Sequence, residues 1–418
     1  MKSIIALLAG VIGGGLGSSA APLETKAIPT PAWKRHVIDD ASRGADGIRL
    51  ADINSDGLPD IVTGWEEGGA VRVYLNPGPA KAGEHWPAIT AGRVSDVEDA
   101  VFADLDNDGS MDVVSSCEGK TRAVYFHWAP ARPADYHDEK AWQTRCLPAS
   151  TNLMMWMFAL PIQVDNQHGV DLVAGGKGPG AAIGWFEAPP DSRQMSDWQW
   201  HPLRPCGWVM SLAASDMDGD GDPDLVFSDR KGARSGVYWL QNPGVGEVKN
   251  KSWTEHPLGA LGREAMFLHP ADLDRDGLED WLVAVKPREI LWLRRLDRTG
   301  KSWTTHAIPQ PGHTGTAKAI NAADLDGDGR LDLVFSCEGA EPPLHGLMWL
   351  SCNGSFTNGS WTPHVLSGAD GIKHDLIAVL DLNGDGKPDV ITTEERANQR
   401  GLGVIWYENP GLGVRGNP

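Results

Sequence analysis

The sequence predicts an all-β fold: a seven-bladed β-propeller of four-stranded antiparallel blades, closed by the N-terminal strand joining the last blade. Three observations carry this. First, stretches like "AADLDGDGRLDLVFS" (Ala322 to Ser336), acids around a glycine turn between short apolar strands, start at 52, 104, 163, 216, 272, 324 and 381. The steps are 52, 59, 53, 56, 52 and 57 residues, and units of this length repeated seven times fit propeller blades. Second, seven strands are led by a tryptophan, at Trp33, Trp86, Trp142, Trp198, Trp253, Trp303 and Trp361. Third, 50 Gly and 29 Pro in 418 residues suit many tight turns better than long helices.

Taken in order, residues 1–20 read as a secretory signal, with Lys2, the apolar run Ile4 to Ile12 and small residues ending at Ala20. The expected location is therefore secreted or periplasmic. Residues 21–32 form a linker, 33–411 the propeller and 412–418 a C-terminal tail, and no later stretch is apolar enough to span a membrane. Each unit runs from an apolar strand into the acidic loop, then through a β-branched strand and an aromatic strand, and ends on the Trp-led strand. The Trp33 strand precedes any acidic loop, while the last unit, His374 to Asn409, has three strands and no fourth. Trp33 to Ile38 therefore supplies the outer strand of the last blade and leaves no open sheet edge.

The formal net charge is −19, and 22 carboxylates sit at positions 1, 3, 5 and 9 of the six intact loops. Six divalent cations would offset twelve of those charges, and the acidity excludes nucleic acid as a partner. Five cysteines, none at CxxC spacing, leave any pairing unassigned.

A nine-residue loop with oxygens at positions 1, 3, 5 and 9 and glycine at position 6 suits a hard cation, because calcium takes six to eight oxygen ligands on a sharply turned loop. The candidate ligands are Asp52, Asn54, Asp56 and Asp60; Asp104, Asp106, Asp108 and Asp112; Asp216, Asp218, Asp220 and Asp224; Asp272, Asp274, Asp276 and Asp280; Asp324, Asp326, Asp328 and Asp332; and Asp381, Asn383, Asp385 and Asp389. An acidic turn can also bond only its own amides, but acids this close repel one another without a cation. Calcium, up to six structural ions, is the expected cofactor. In the third loop Gln163 and Gln167 replace acids and His168 replaces the glycine, so that loop is expected to be empty.

The DxDxDGxxD loops joined to short strands resemble the FG-GAP/VCBS repeats of integrin-type seven-bladed propellers, over about residues 31 to 411. The propeller part of aldos-2-ulose dehydratase is similar more weakly. The resemblance implies a calcium-bearing scaffold, and function has to be argued from the site.

On the face opposite the acidic loops, the sixth residue beyond the last Asp of each loop is Glu66, Glu118, Lys177, Arg230, Lys286, Glu338 and Glu395, all charged. Around the ring this gives an acidic arc (blades 6, 7, 1 and 2) and a basic arc (blades 3, 4 and 5). Asp46, Glu98, Asp99, Arg263, Glu264, Lys318 and Asp375 are expected at the same mouth, with Trp65, Trp156 and Trp208 as stacking surfaces. Two functions fit. One is binding of a carbohydrate or other anionic or polyhydroxylated ligand, with lyase or dehydratase chemistry drawn from His313, His345, His374, Glu338 or Glu395. The other is a protein-interaction or adhesion scaffold without catalysis. A monomer is expected, partnered by a carbohydrate or an extracellular protein.

Overall fold

The computed structural model describes residues 32–396 and 399–411, so the signal, nearly all of the linker and the C-terminal tail lie outside the described residues. Seven four-stranded antiparallel sheets form the ring. Their inner strands are Ala45–Ala51, Val97–Ala103, Met155–Ile162, Val209–Ser215, Ala265–Ala271, Thr316–Ala323 and His374–Leu380, in blades 1 to 7. Each inner strand packs on the inner strands of its two neighbours and so lines the axis. The second strands, such as Asp60–Trp65 and Asp112–Cys117, are buried along their whole length between adjacent blades. That burial on both faces is why they read as continuous apolar or β-branched runs rather than as alternation.

The outer strands are half exposed, and two devices hold them. The leading tryptophan donates its indole N–H back to a carbonyl of the preceding loop: Trp86 to Ala82 at 3.0 Å, Trp142 to Tyr136 and Trp198 to Ser192 at 2.9 Å. In blades 3 to 6 the following histidine lies directly across from the tryptophan of the third strand and stacks on it, as in His201–Trp185 (4.7 Å) and His364–Trp349 (3.9 Å).

Ring closure follows the same pattern. The strand Lys34–Asp39 pairs antiparallel with Gln399–Glu408 as the outer strand of blade 7. His36 stacks on Trp406 at 4.1 Å with 9° between the planes, repeating the contact of the other blades. The indoles of Trp406 and Trp86 both donate to the Ala82 carbonyl at 3.0 Å, which ties blade 7 to blade 1. Beneath them Ile38, Ile61, Trp65, Tyr74, Ile391 and Val404 form one apolar cluster across the seam. Deleting residues 21–40 should therefore bare the Gln399–Glu408 edge and strip the cover from Trp406, giving aggregation or a broadened, non-cooperative melt. A soluble monomeric truncation with an unchanged melting temperature would show that the ring closes otherwise.

Candidate functional site

The acidic loops join inner to second strands on one end of the ring, and their carboxylates do two different jobs. Position 1 faces the turn: Asp52 accepts the amides of Asp56 at 3.1 Å and Gly57 at 2.9 Å, and Asp381 accepts those of Asp385 and Gly386 at the same distances. Gly57, Gly109, Gly221, Gly277, Gly329 and Gly386 have φ between 81° and 94°, as a left-handed turn requires. Position 9 faces inward. Asp60 accepts the Ile53 amide at 3.0 Å and the Asn76 amide at 2.8 Å, pinning the loop entrance to the end of the third strand. Asp112, Asp171, Asp224 and Asp389 repeat this clamp, and all seven position-9 aspartates are buried. Burial pushes their carboxyls up, Asp60 to about 6 and Asp112 to about 8.

Among these loops the carboxylate oxygens of Asp104, Asp106 and Asp108, of Asp216, Asp218 and Asp224, and of Asp272, Asp274 and Asp276 lie within 4.8 Å of one another. An all-oxygen set at that spacing fits a hard cation, whose opposite ligands stand about 5 Å apart. Neighbouring cations lean on the same acids: Arg193 on Asp106 at 2.5 Å, and Arg294 on Asp274 at 2.5 Å.

The third loop is built differently. Gln163 folds its amide into the turn, donating to the carbonyls of Gln167 at 3.0 Å and Gly169 at 2.6 Å, and His168 takes the left-handed conformation with φ 54°. The ammonium of Lys249, from blade 4, sits 2.8 Å from the buried Asp165 carboxylate and 2.6 Å from Glu187. A side-chain cation thus stands beside an acid of this loop. Only Asp171 keeps its role, because the clamp serves the backbone. Lys249→Ala should leave Asp165 buried without its counter-charge and cost about 2 kcal/mol. Denaturant melts should show that loss equally with and without added calcium.

At the opposite end the charged hairpin tips converge, and the two arcs neutralise one another where they meet. Lys177 of blade 3 pairs with Glu118 of blade 2 and lies 3.8 Å from Glu98. Lys286 of blade 5 pairs with Glu338 of blade 6, Lys373 with Glu395, and Arg230 with Glu264 at 3.2 Å. The indole of Trp208 lies between the remaining like charges, with the Lys177 ammonium and the Arg230 guanidinium each 4.4 Å from its ring. The three cations of the basic arc therefore already have carboxylate and aromatic partners within the chain.

Trp65 and Trp156 are fully buried, so they do not offer the stacking surfaces expected of them. Trp65 donates to the Tyr74 hydroxyl and lies under Arg72, while Trp156 packs on Phe186 and Trp200. Among the histidines, His313 is exposed and its carbonyl accepts the His345 amide at 2.9 Å. His374 is fully buried beside Gly346 and Gly371, and burial pushes its imidazole down to about 4. Among the described residues no histidine shares a hydrogen bond or ion pair with the mouth carboxylates or ammonium groups, so the structure does not join these candidates into a catalytic set.

A second column was not recognised in the sequence. Fourteen residues before the last Asp of each loop stand Asp46, Glu98, Met157, Met210, Met266, Lys318 and Asp375. The pairing of every inner strand with its second strand shifts register at or beside this residue. Such bulges re-aim side chains. Blades 6, 7, 1 and 2 thus put charge on the axis, and blades 3 to 5 put methionine there. Below the mouth the rings of Phe158 and Phe267 stand 5.8 Å apart within the same apolar cluster as the three methionines.

The charged half is tightly coupled. Lys318 pairs with Asp375, and against burial that would raise it, the ammonium holds the Asp375 carboxyl at about 2. Asp46 is pushed well above the usual carboxylate range by burial and by its neighbours Asp375 and Glu98, and burial pushes Glu98 up to about 8. Asp99 is satisfied separately, by Arg49 at 3.0 Å and the Ala159 amide at 3.2 Å. All five cysteines are free thiols.

A family model for the FG-GAP-like repeat matches residues 52–115, 216–283 and 272–335. Human integrin alpha-7 is 33% identical over 97 residues, which are 19% of this chain and 8% of that protein. Two crystal structures of BBS1N in complex with ARL6DN, soaked with mercury or lead, each match with a TM-score of 0.50 at 10% identity. They cover 90% and 92% of this chain and 96% and 99% of theirs, and at that identity the likeness shows the fold alone. No helix among the described residues is long and apolar enough to cross a membrane.

Proposed function

We propose that this propeller of FG-GAP-like repeats is an extracellular binding scaffold, held by calcium at one end and presenting its charged mouth to a protein partner at the other. The observation that carries this is the paired charge ring. Lys177–Glu118, Lys286–Glu338, Lys373–Glu395 and Arg230–Glu264 fix their charges in place, and fixed, pre-organised charge favours recognition by complementarity. A uronate or sulfate would have to displace a glutamate from each cation. The sugar-stacking reading also loses Trp65 and Trp156, and among the described residues none of the candidate histidines His313, His345 and His374 is bonded to the mouth carboxylates. Glu66 and Glu98, both partly exposed at the mouth, favour a basic partner surface, whose cations would draw their carboxyls into the charged form. Probing the chain with arrays of basic peptides and of uronate polysaccharides tests the choice. Salt-sensitive peptide binding lost in Glu98→Lys is expected. Uronate binding lost in Arg230→Glu, with release of an unsaturated product, would favour the carbohydrate enzyme instead.

The six intact loops supply the all-oxygen donors that calcium takes, and extracellular calcium is abundant enough to fill even weak sites. The ions would be structural: each would relieve repulsion among acids on a turn already shaped by its amide hydrogen bonds. Chelation should lower the melting temperature by several degrees, with calcium and not magnesium restoring it. An unchanged melt in excess chelator would remove calcium from the account.

A further inference from the structure

We infer that the six intact loops take calcium in two classes, because Arg193 and Arg294 sit on the acids of the blade 2 and blade 5 loops and an ion has to displace them. This rests on the calcium reading above and adds to it which loops fill last. The donors of both loops suit the ion. The oxygens of Asp104, Asp106 and Asp108, and those of Asp272, Asp274 and Asp276, converge within 4.8 Å, and Asp274 Oδ1 is buried with no hydrogen-bond partner.

The two arginines are placed alike although they come from different parts of the chain. Arg193, between the third and outer strands of blade 3, donates its Nε to Asp106 at 2.5 Å and brings a terminal nitrogen to 3.8 Å from Asp108. Arg294, on the third strand of blade 5, Glu289–Arg295, stands 2.5 Å from Asp274 and 3.5 Å from Asp276. Each guanidinium thus spans positions 3 and 5, and each lies beside a tryptophan ring, Trp128 at 4.7 Å and Trp292 at 5.9 Å. In blade 2 the other oxygens of the same acids accept the amides of Asp108 at 3.3 Å and Ser110 at 2.8 Å. The arginine therefore holds the oxygens that the turn leaves over.

Blade 3 shows the end point of this arrangement. The residue just before the clamped amide of the third strand is Trp128 in blade 2, Glu187 in blade 3, Gln241 in blade 4 and Arg294 in blade 5. In blades 2 and 3 it supports a cation sent from the next blade: Trp128 lies under Arg193, and Glu187 holds Lys249, which lies against Asp165. Blade 3 has lost the acids at positions 1 and 5, so its lysine stays as the counter-charge. Blades 2 and 5 keep all four acids, and there a divalent ion competes with the arginine. In blades 1 and 4 side-chain amides take that place, Asn54 on Asp56 at 3.0 Å and Gln241 on Asp218 at 2.5 Å, and among the described residues no arginine or lysine pairs with these loops. Arg330 and Lys387 touch only position 5 of their own loops and leave position 3 open, which puts blades 6 and 7 with blades 1 and 4. A displaced Arg193 has room, since with Asp106, His168 and Asp191 it lines a cleft of about 490 Å³.

Equilibrium dialysis of the full chain against calcium, beside Arg193→Gln, Arg294→Gln and the double variant, tests this. The wild type is expected to take up two of its ions last. In the double variant those two should bind about tenfold more tightly, the effect of removing one positive charge from beside a divalent ion in a solvated loop. Arg145→Gln, the same charge change on the exposed side of blade 2's outer strand, should alter nothing. Calcium uptake with unchanged or weaker affinity in the double variant would overturn the two classes and leave calcium in the loops, whereas no uptake by any chain would remove both. Wild-type crystals at limiting calcium give a reading that needs no variant: the ions of blades 1 and 4 should be fuller than those of blades 2 and 5, and equal occupancy would count against the arginines.

Discussion

The buried aspartate at position 9 is the constraint on which each blade depends. In most blades its two oxygens bond the amide that opens the acidic loop and the amide that ends the third strand, so one carboxylate fixes the relative height of three strands. Blade 5 shows how firm the requirement is. There Asp280 keeps the amide at the end of the third strand, that of Arg295, and takes the Trp292 indole in place of the loop-opening amide, both at 2.8 Å. Burying seven carboxylates is tolerable because each is hydrogen-bonded, and leaving one without its donors would cost about 1–3 kcal/mol.

That constraint explains which parts of the architecture were legible in the sequence. The aspartate period and the Trp-led strands are local, repeated demands of the fold, and they marked the seven blades and the closure by Lys34–Asp39 correctly. The mouth was half legible. The charges at Glu66, Glu118, Lys177, Arg230, Lys286, Glu338 and Glu395 could be aligned, but their pairing across blades depends on reach and direction, which a column of letters does not contain. Trp65 and Trp208 show the same limit: one ends a second strand and is core, the other leads into an inner strand and separates two cations. Lys249 could not be matched to Asp165 because the two belong to neighbouring blades.

The axis carries an asymmetry that the blades do not. Met157, Met210 and Met266 fill one side with flexible apolar side chains, whereas Asp46, Glu98, Lys318 and Asp375 fill the other with charges that must be compensated inside a small volume. A bulge at the same place in each inner strand lets one backbone plan present either lining. The strands beneath stay nearly interchangeable, and individuality is confined to the residues the bulge turns inward.

Closure by the first strand has a consequence for how the chain is made. His36 meets Trp406, and Lys34 meets Glu408, across almost the whole polypeptide. Blades 1 to 6 can each pair from neighbouring segments as they emerge, but the seventh cannot be finished until Gln399–Glu408 is synthesised. Contacts of such long sequence separation form slowly. The strand of the ring born first is thus placed last, and until then both it and the strand awaiting it present unpaired backbone, an interval of exposure that a chaperone or rapid release would have to cover.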